Sequence, residues 1–220
     1  MRAVLLTAAL LVSGASGAAT IEGTLALFSG GEALRATEAA DAIVYYRPKT
    51  PVVAKPSADP VLMVTRRKQF VPHVLAVAAG TTVRFPNEDP ILHNVFSHSP
   101  NNTFDAGLYG AGDGWTQKFD APGLVKVFCN VHHSMYGYVL VLDTPFFVRP
   151  DAQGHFELAG VPDGDGEIVA FHDRGDPHRE RITIAGDRKV DIRLDLDQRK
   201  VPPHMNKFGK PYGRDDKGGY

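Results

Sequence analysis

Phe128-Cys129-Asn130-Val131-His132-His133-Ser134-Met135 decides how this chain is read. The stretch contains the only cysteine of the sequence, with a histidine three residues later and a methionine six residues later. Upstream, Asn87-Glu88-Asp89-Pro90-Ile91-Leu92-His93-Asn94 supplies a further imidazole. Two imidazoles, one thiolate and one weak thioether are the donors that suit copper alternating between Cu(II) and Cu(I). Cu(II) prefers nitrogen and oxygen in tetragonal arrangement, and Cu(I) prefers soft, low coordination. A trigonal His₂Cys set with a long axial Met serves both, so little has to move when an electron arrives. The expected ligands of one type 1 copper ion are therefore His93, Cys129, His132 and Met135. Zinc fits less well, because it takes four strong ligands. Cys-x₂-His alone also occurs in zinc sites; its specificity here comes from Met135 and from the upstream His93-Asn94.

Leu124–Phe128 reads as a strand leading into the ligand stretch, and Tyr138–Leu142 as a strand leading out. Three ligands on the turn between them can converge on one ion. His93, at the start of a separate strand, would hold the loop onto the rest of the unit, and Asn94 is placed to orient its neighbours by hydrogen bonding. Working outward, short runs rich in Val, Ile, Phe, Tyr and Thr alternate with Gly, Pro, Asp and Asn. Examples are Thr20–Phe28, Ala42–Tyr46, Val74–Ala78, Thr81–Phe85, Phe156–Leu158, Ile168–Phe171 and Lys189–Leu194. Such spacing without long helical periodicity predicts an all-β sandwich or barrel. Ala33–Asp41 is read as either a short helical turn or a loop.

Residues 62–143 contain every candidate ligand. The flanks, 20–61 and 144–197, each have too few strands to close a core. The expected solution is that both flanks pair into a second sandwich around residues 62–143; two independent small sheets are the alternative. The Pro-rich stretch Arg47–Pro60 would be the passage between the units.

The chain opens with Met1-Arg2, an apolar run from Ala3 to Val12 and small residues to Ala19. This predicts a signal peptide over residues 1–19, cleaved after Ala18 or Ala19. The run is shorter than the about 20 residues a membrane helix needs, and no later run is long enough. No membrane span is expected after cleavage. In an exported, oxidising space a single cysteine cannot form an internal disulfide, and a free thiol is open to oxidation; metal ligation protects it. The formal net charge is −1. No basic stripe interleaves with aromatics, so no nucleic-acid partner is expected. Residues 198–220, rich in Pro, Gly, Lys, Arg and Asp, read as a flexible, solvated tail.

The block Phe70-Val71-Pro72, Val77-Ala78-Ala79-Gly80-Thr81-Thr82-Val83-Arg84-Phe85-Pro86-Asn87-Glu88-Asp89 and His93-Asn94-Val95-Phe96-Ser97 resembles cupredoxins of the plastocyanin, pseudoazurin and amicyanin type. The short ligand loop is most similar to that of amicyanin. The whole chain resembles periplasmic proteins of the methylamine utilization type. There a transthyretin-like, carboxypeptidase-regulatory-like sandwich surrounds the copper unit. Ile21-Glu22-Gly23 and Ala42-Ile43-Val44-Tyr45-Tyr46 look like its first half, and Gly154-His155-Phe156-Glu157-Leu158 with Val161-Pro162-Asp163-Gly164 like its second. The resemblance implies a Greek-key cupredoxin sandwich inserted into a second sandwich. It implies a periplasmic, monomeric carrier of single electrons between transient redox partner proteins. It also implies an electron exit at a partly apolar surface near His132, lined by Met135, Tyr136 and Tyr138. Relatives commonly have Pro where this chain has His133, which leaves the choice between His132 and His133 as ligand open.

The other histidines are read as structural or exposed: His73 in a strand, His98 in a loop, and His155, His172, His178 and His204 in the flank or tail. No His-x-His pair occurs, which disfavours multicopper oxidase chemistry, and no nucleophile–base spacing appears. The chain is therefore not read as an enzyme. Trp115 is read as core, and Asp163-Gly164-Asp165-Gly166 as a β turn, since it lacks the later Glu of a calcium loop. Three rival readings are kept. The first is copper delivery or storage. The others are a structural or adhesive module with a vestigial site, and a mononuclear copper enzyme with an open axial position.

Overall fold

In the computed structural model, residues 18–197 and 201–212 are described. The expected signal peptide, apart from Ala18 and Ala19, lies outside them, as do residues 198–200 and 213–220 of the tail. Ala18 and Ala19 open the first strand, opposite Pro162 and Val161, and Ala19 is buried.

The molecule is all-β. The leading segment forms β1 (Ala18–Ser29), β2 (Glu32–Ala33), a 3₁₀ turn at Ala36–Asp41 and β3 (Ile43–Pro48). The middle segment forms β4 (Val61–Leu62), β5 (Val64–Arg66), β6 (Gln69–Val71), β7 (Val74–Ala78), β8 (Thr81–Asn87), β9 (His93–Ser99), β10 (Asn102–Tyr109), β11 (Gly112–Phe119), β12 (Gly123–Phe128) and β13 (Tyr136–Leu142). The trailing segment adds β14 (Phe147–Val148), β15 (His155–Pro162), β16 (Gly164–Phe171), β17 (His178–Ile184), β18 (Arg188–Lys189) and β19 (Ile192–Asp195).

These strands make four sheets. An outer sheet runs β15-β1-β18, with β19 and β2 also on β1. The next runs β14-β3-β16-β17. Both join leading and trailing strands. The other two are built from the middle segment alone: β10-β9-β12-β13-β7, and β11-β8-β5-β6 with β4 on β8.

Burial explains the order of the layers. Ile21, Leu25, Leu27, Val44, Tyr46, Phe156, Leu158, Ile168 and Ala170 pack between the first two sheets. Val83, Phe85, Val95, Phe119, Val125, Val127, Cys129, Met135, Val139 and Val141 pack between the last two. A third layer joins Ile43, Tyr45, Val169 and Phe171 to Val74, Phe96, Phe128, Tyr136, Tyr138, Leu140 and Leu142. The second and third sheets therefore have apolar material on both faces. Successive residues of a strand point to opposite faces. Hence Ile43-Val44-Tyr45-Tyr46 and Tyr136-Gly137-Tyr138-Val139-Leu140-Val141-Leu142 are buried throughout. The outer strands alternate instead, as β8 does along its length.

Two expectations need correction. Residues 201–212, expected to be a solvated end, lie against the middle unit. The His204 ring stacks on Phe128 with centroids 4.1 Å apart and planes 6° from parallel. Met135, Tyr136 and Tyr138, expected to line an exposed exit surface, are buried, the two tyrosines between the second and third sheets. There each meets the His73 ring edge-on, because β13 turns that face inward.

Candidate metal centre

β12 ends at Phe128 and β13 begins at Tyr136, so the ligand stretch is the turn of an antiparallel pair. The turn closes on itself: the Cys129 amide donates to the Met135 carbonyl at 3.1 Å, and the Met135 amide to the His132 carbonyl at 2.8 Å. His93 is the first residue of β9, which pairs with β12 through Phe96 and Phe128. That pairing sets His93 over the turn.

The side chains converge accordingly. Cys129 Sγ lies 3.8 Å from His93 Nδ1 and 3.7 Å from His132 Nδ1. All three donor atoms lie within 4.8 Å of one another. Among the described residues this is the one such group of His, Cys, Asp or Glu. Bonds of about 2.0 Å to nitrogen and about 2.3 Å to sulfur, with trigonal angles, put neighbouring donors about 3.7 Å apart. The two edges to the sulfur, 3.8 and 3.7 Å, match that length, so the three donors suit one first-row ion. Met135 is buried in the same apolar cluster as Cys129. His133 is not part of the group; its ring packs on Tyr212 with centroids 3.7 Å apart.

The protonation states suit ligation. His93 Nε2 donates to Asp89 Oδ2 at 2.9 Å, which leaves Nδ1 with its lone pair toward the sulfur. Burial, then the neighbouring His93 and Lys68 charges, holds the His132 imidazole below its ordinary value. A neutral ring keeps a lone pair for metal. Burial, with the Cys129 charge nearby, pushes the Tyr109 phenol up; Tyr109 sits opposite His93 in β10.

Asp89, which has no role assigned from the sequence, anchors the candidate ligand His93. Besides His93 it accepts from the backbone amides of Arg67 at 2.6 Å and Lys68 at 2.9 Å. Those two residues are left-handed, with φ of 52° and 57°, and form the tight turn between β5 and β6. Two successive residues with positive φ aim their amides into one concavity, which holds an anion. Burial would raise the Asp89 carboxyl, but the Lys68 and Arg67 amides and His93 together hold it below the usual carboxylate range. The signal in the sequence was an acid four residues before the ligand histidine.

Asn94 does orient its neighbours. Its Oδ1 accepts from the Asn130 amide at 3.3 Å, and its Nδ2 donates to Asp105 Oδ1 at 2.7 Å and the Gly107 carbonyl at 2.8 Å. A register shift between Asp105 and Leu108 turns that carboxylate toward it.

Solved structures similar to part of this chain include cupredoxins. A purple cupredoxin from Nitrosopumilus maritimus is 25% identical, covering 38% of this chain and 100% of that one, with a TM-score of 0.34. A Cu-containing nitrite reductase from Thermus scotoductus SA-01 is 27% identical over 42% of this chain, with a TM-score of 0.37. The match spans 25% of the reductase. A reduced amicyanin variant is 18% identical, covering 45% of this chain and 98% of that one, with a TM-score of 0.36. No family model and no curated protein matches the chain.

Ile91, Leu92, Leu108 and Val131 are exposed apolar residues close in sequence or register to the ligands. Trp115, read as core, lies half-buried at its edge, stacked on Phe104. No helix among the described residues is long and apolar enough to cross a membrane.

Proposed function

We propose that the chain is a type 1 copper protein that passes single electrons between exported redox partner proteins. The observation that carries this reading is the donor triangle: one buried thiolate sulfur with two imidazole nitrogens at 3.7 and 3.8 Å. Copper held there supplies a Cu(II)/Cu(I) couple. His93, Cys129 and His132 would hold it, with Met135 as the further, weaker thioether donor. Asp89, Asn94 and the turn hydrogen bonds keep the ligands in place, so the same geometry serves both charge states. The residues do the work of a rigid holder, and no substrate is turned over.

His132 is the only half-buried member of the triangle; His93 and Cys129 are fully buried. Its exposed edge is the proposed way out for an electron. Ile91, Leu92, Leu108 and Val131 give that end an apolar rim, suited to a small, transient contact of under about 1,200 Å². Residues 62–143 form the cupredoxin domain in this reading. Residues 20–61 with 144–197 form the transthyretin-like sandwich around it, and the product of signal cleavage is a periplasmic monomer.

The test is repeated oxidation and reduction of the copper-loaded protein over a chelating resin. An electron carrier keeps one copper per chain through many cycles. Progressive loss of copper in the reduced state would instead assign the chain to copper delivery.

A further inference from the structure

The segment 201–212 touches the ligand loop at several points, and one residue of it does more than cover the loop. Lys207 Nζ donates to Asp105 Oδ2 at 2.9 Å, and the Lys207 amide donates to Asn130 Oδ1 at 3.0 Å. The other side of Asp105 receives Asn94 Nδ2, and Asn94 Oδ1 receives the Asn130 amide. These four bonds form a closed ring: Lys207, Asp105, Asn94, Asn130 and back to Lys207. Asn94 is the residue after His93, and Asn130 is the residue after Cys129. The ring therefore joins the backbone beside one ligand to the backbone beside another.

We propose that Lys207 is a positioning residue of the metal centre, reaching it from the far end of the chain and fixing the separation of His93 and Cys129 through Asn94 and Asn130. This rests on the proposed function for its consequence, though not for its geometry.

A lone surface ion pair contributes little. Here the lysine side chain is 20% exposed and the Asp105 side chain 40%, and the same lysine supplies a second bond through its amide. Three further contacts seat the segment: His98 Nε2 with the Asn206 carbonyl at 3.1 Å, the His204–Phe128 stack and the Tyr212–His133 contact. Burial would raise the Asp105 carboxyl, but Lys207, Asn94 and the Gly107 amide together hold it below the ordinary carboxylate value. It is a carboxylate when the lysine reaches it. Without the segment, Asn130 Oδ1 would lose the Lys207 amide, and Asn130 would keep only its amide bond to Asn94.

The experiment compares full-length Lys207→Glu and Lys207→Arg with the parent. Two quantities are read: deuterium exchange of the Asn130 amide in metal-free protein, and the rate at which a Cu(I) chelator removes copper from loaded protein. Lys207→Glu, which repels Asp105, is expected to speed both by about tenfold, the lower end of the effect of residues that support metal ligands. Lys207→Arg, which keeps the cation, is expected to restore parental values. Equal Asn130 exchange in all three proteins would overturn the proposal. The metal-free reading decides the ring even if copper gives no thiolate band, so its failure is distinct from failure of the proposed function.

Discussion

Asp89 shows what a single side chain contributes at this site. It holds the His93 ring from behind while two backbone amides hold Asp89 itself. Replacing it with Asn keeps the shape and removes the charge that fixes the imidazole. Asp89→Asn is expected to weaken copper binding by about 10–100-fold, measured by competition with a chelator of known affinity; unchanged affinity would mean that His93 is held by packing alone. His93, Cys129 and His132 were legible in the sequence because their chemistry is carried by residue type and spacing. The sequence favoured His132 and left His133 as an alternative, because two adjacent imidazoles differ only in where the turn points them. The structure aims His132 at the sulfur and His133 at Tyr212. The role of Asp89 is not visible in the sequence because its backbone partners come from the β5–β6 turn, 22 residues upstream in the case of Arg67.

The strands owe their legibility to burial. β3, β13 and β16 appear as apolar runs because they have a core on either side, whereas β1, β8 and β15 alternate. β10 and β11 do not stand out as strands in the sequence. Asn102–Tyr109 and Gly112–Phe119 carry Gly, Asp and Asn, and bulges interrupt their pairing. One glycine has a purpose that only the structure reveals. Gly23, in β1, lies where a Cβ would overlap the Val190 carbonyl. The Val190 amide donates to the Glu22 carbonyl at 2.8 Å, so the two backbones are held close. Gly23→Ala is expected to cost about 1–3 kcal/mol by overpacking, read from the urea midpoint, with the copper site unaffected. An unchanged midpoint would show that the segment before β19 moves aside freely.

At the scale of the molecule, the apolar layer between the second and third sheets is pinned at one edge by a polar cluster. Asp173, 2% exposed, lies 2.9 Å from His73 Nε2 and 2.9 Å from His172 Nδ1. His73 precedes β7 of the middle segment, and His172 and Asp173 follow β16 of the trailing one. Burial alone would raise the Asp173 carboxyl. Hydrogen bonds from His172 and His73, with their charges, hold it far below the usual range. A depressed carboxylate stabilises the fold above its unfolded value of about 3.9. That contribution is lost as the pH falls below this value toward the folded pKa. Asp173→Asn is expected to cost about 3 kcal/mol at neutral pH, as for a buried pair stripped of one partner. It should also flatten the fall in stability below about pH 4. Urea unfolding at pH 7 and pH 3 measures both; equal pH dependence in the two proteins would remove Asp173 from the account. The sequence could not reveal this pairing, since its partners are a hundred residues apart. The same distance hid the seat of the 201–212 segment.

The measurement that tests the central claim most directly is the visible absorption spectrum of the copper-loaded protein, oxidised and then reduced, beside Cys129→Ser. The account predicts an intense blue band from copper–thiolate ligation that bleaches on reduction and is missing from the variant. Copper bound without that band, or a band that survives in Cys129→Ser, would contradict it.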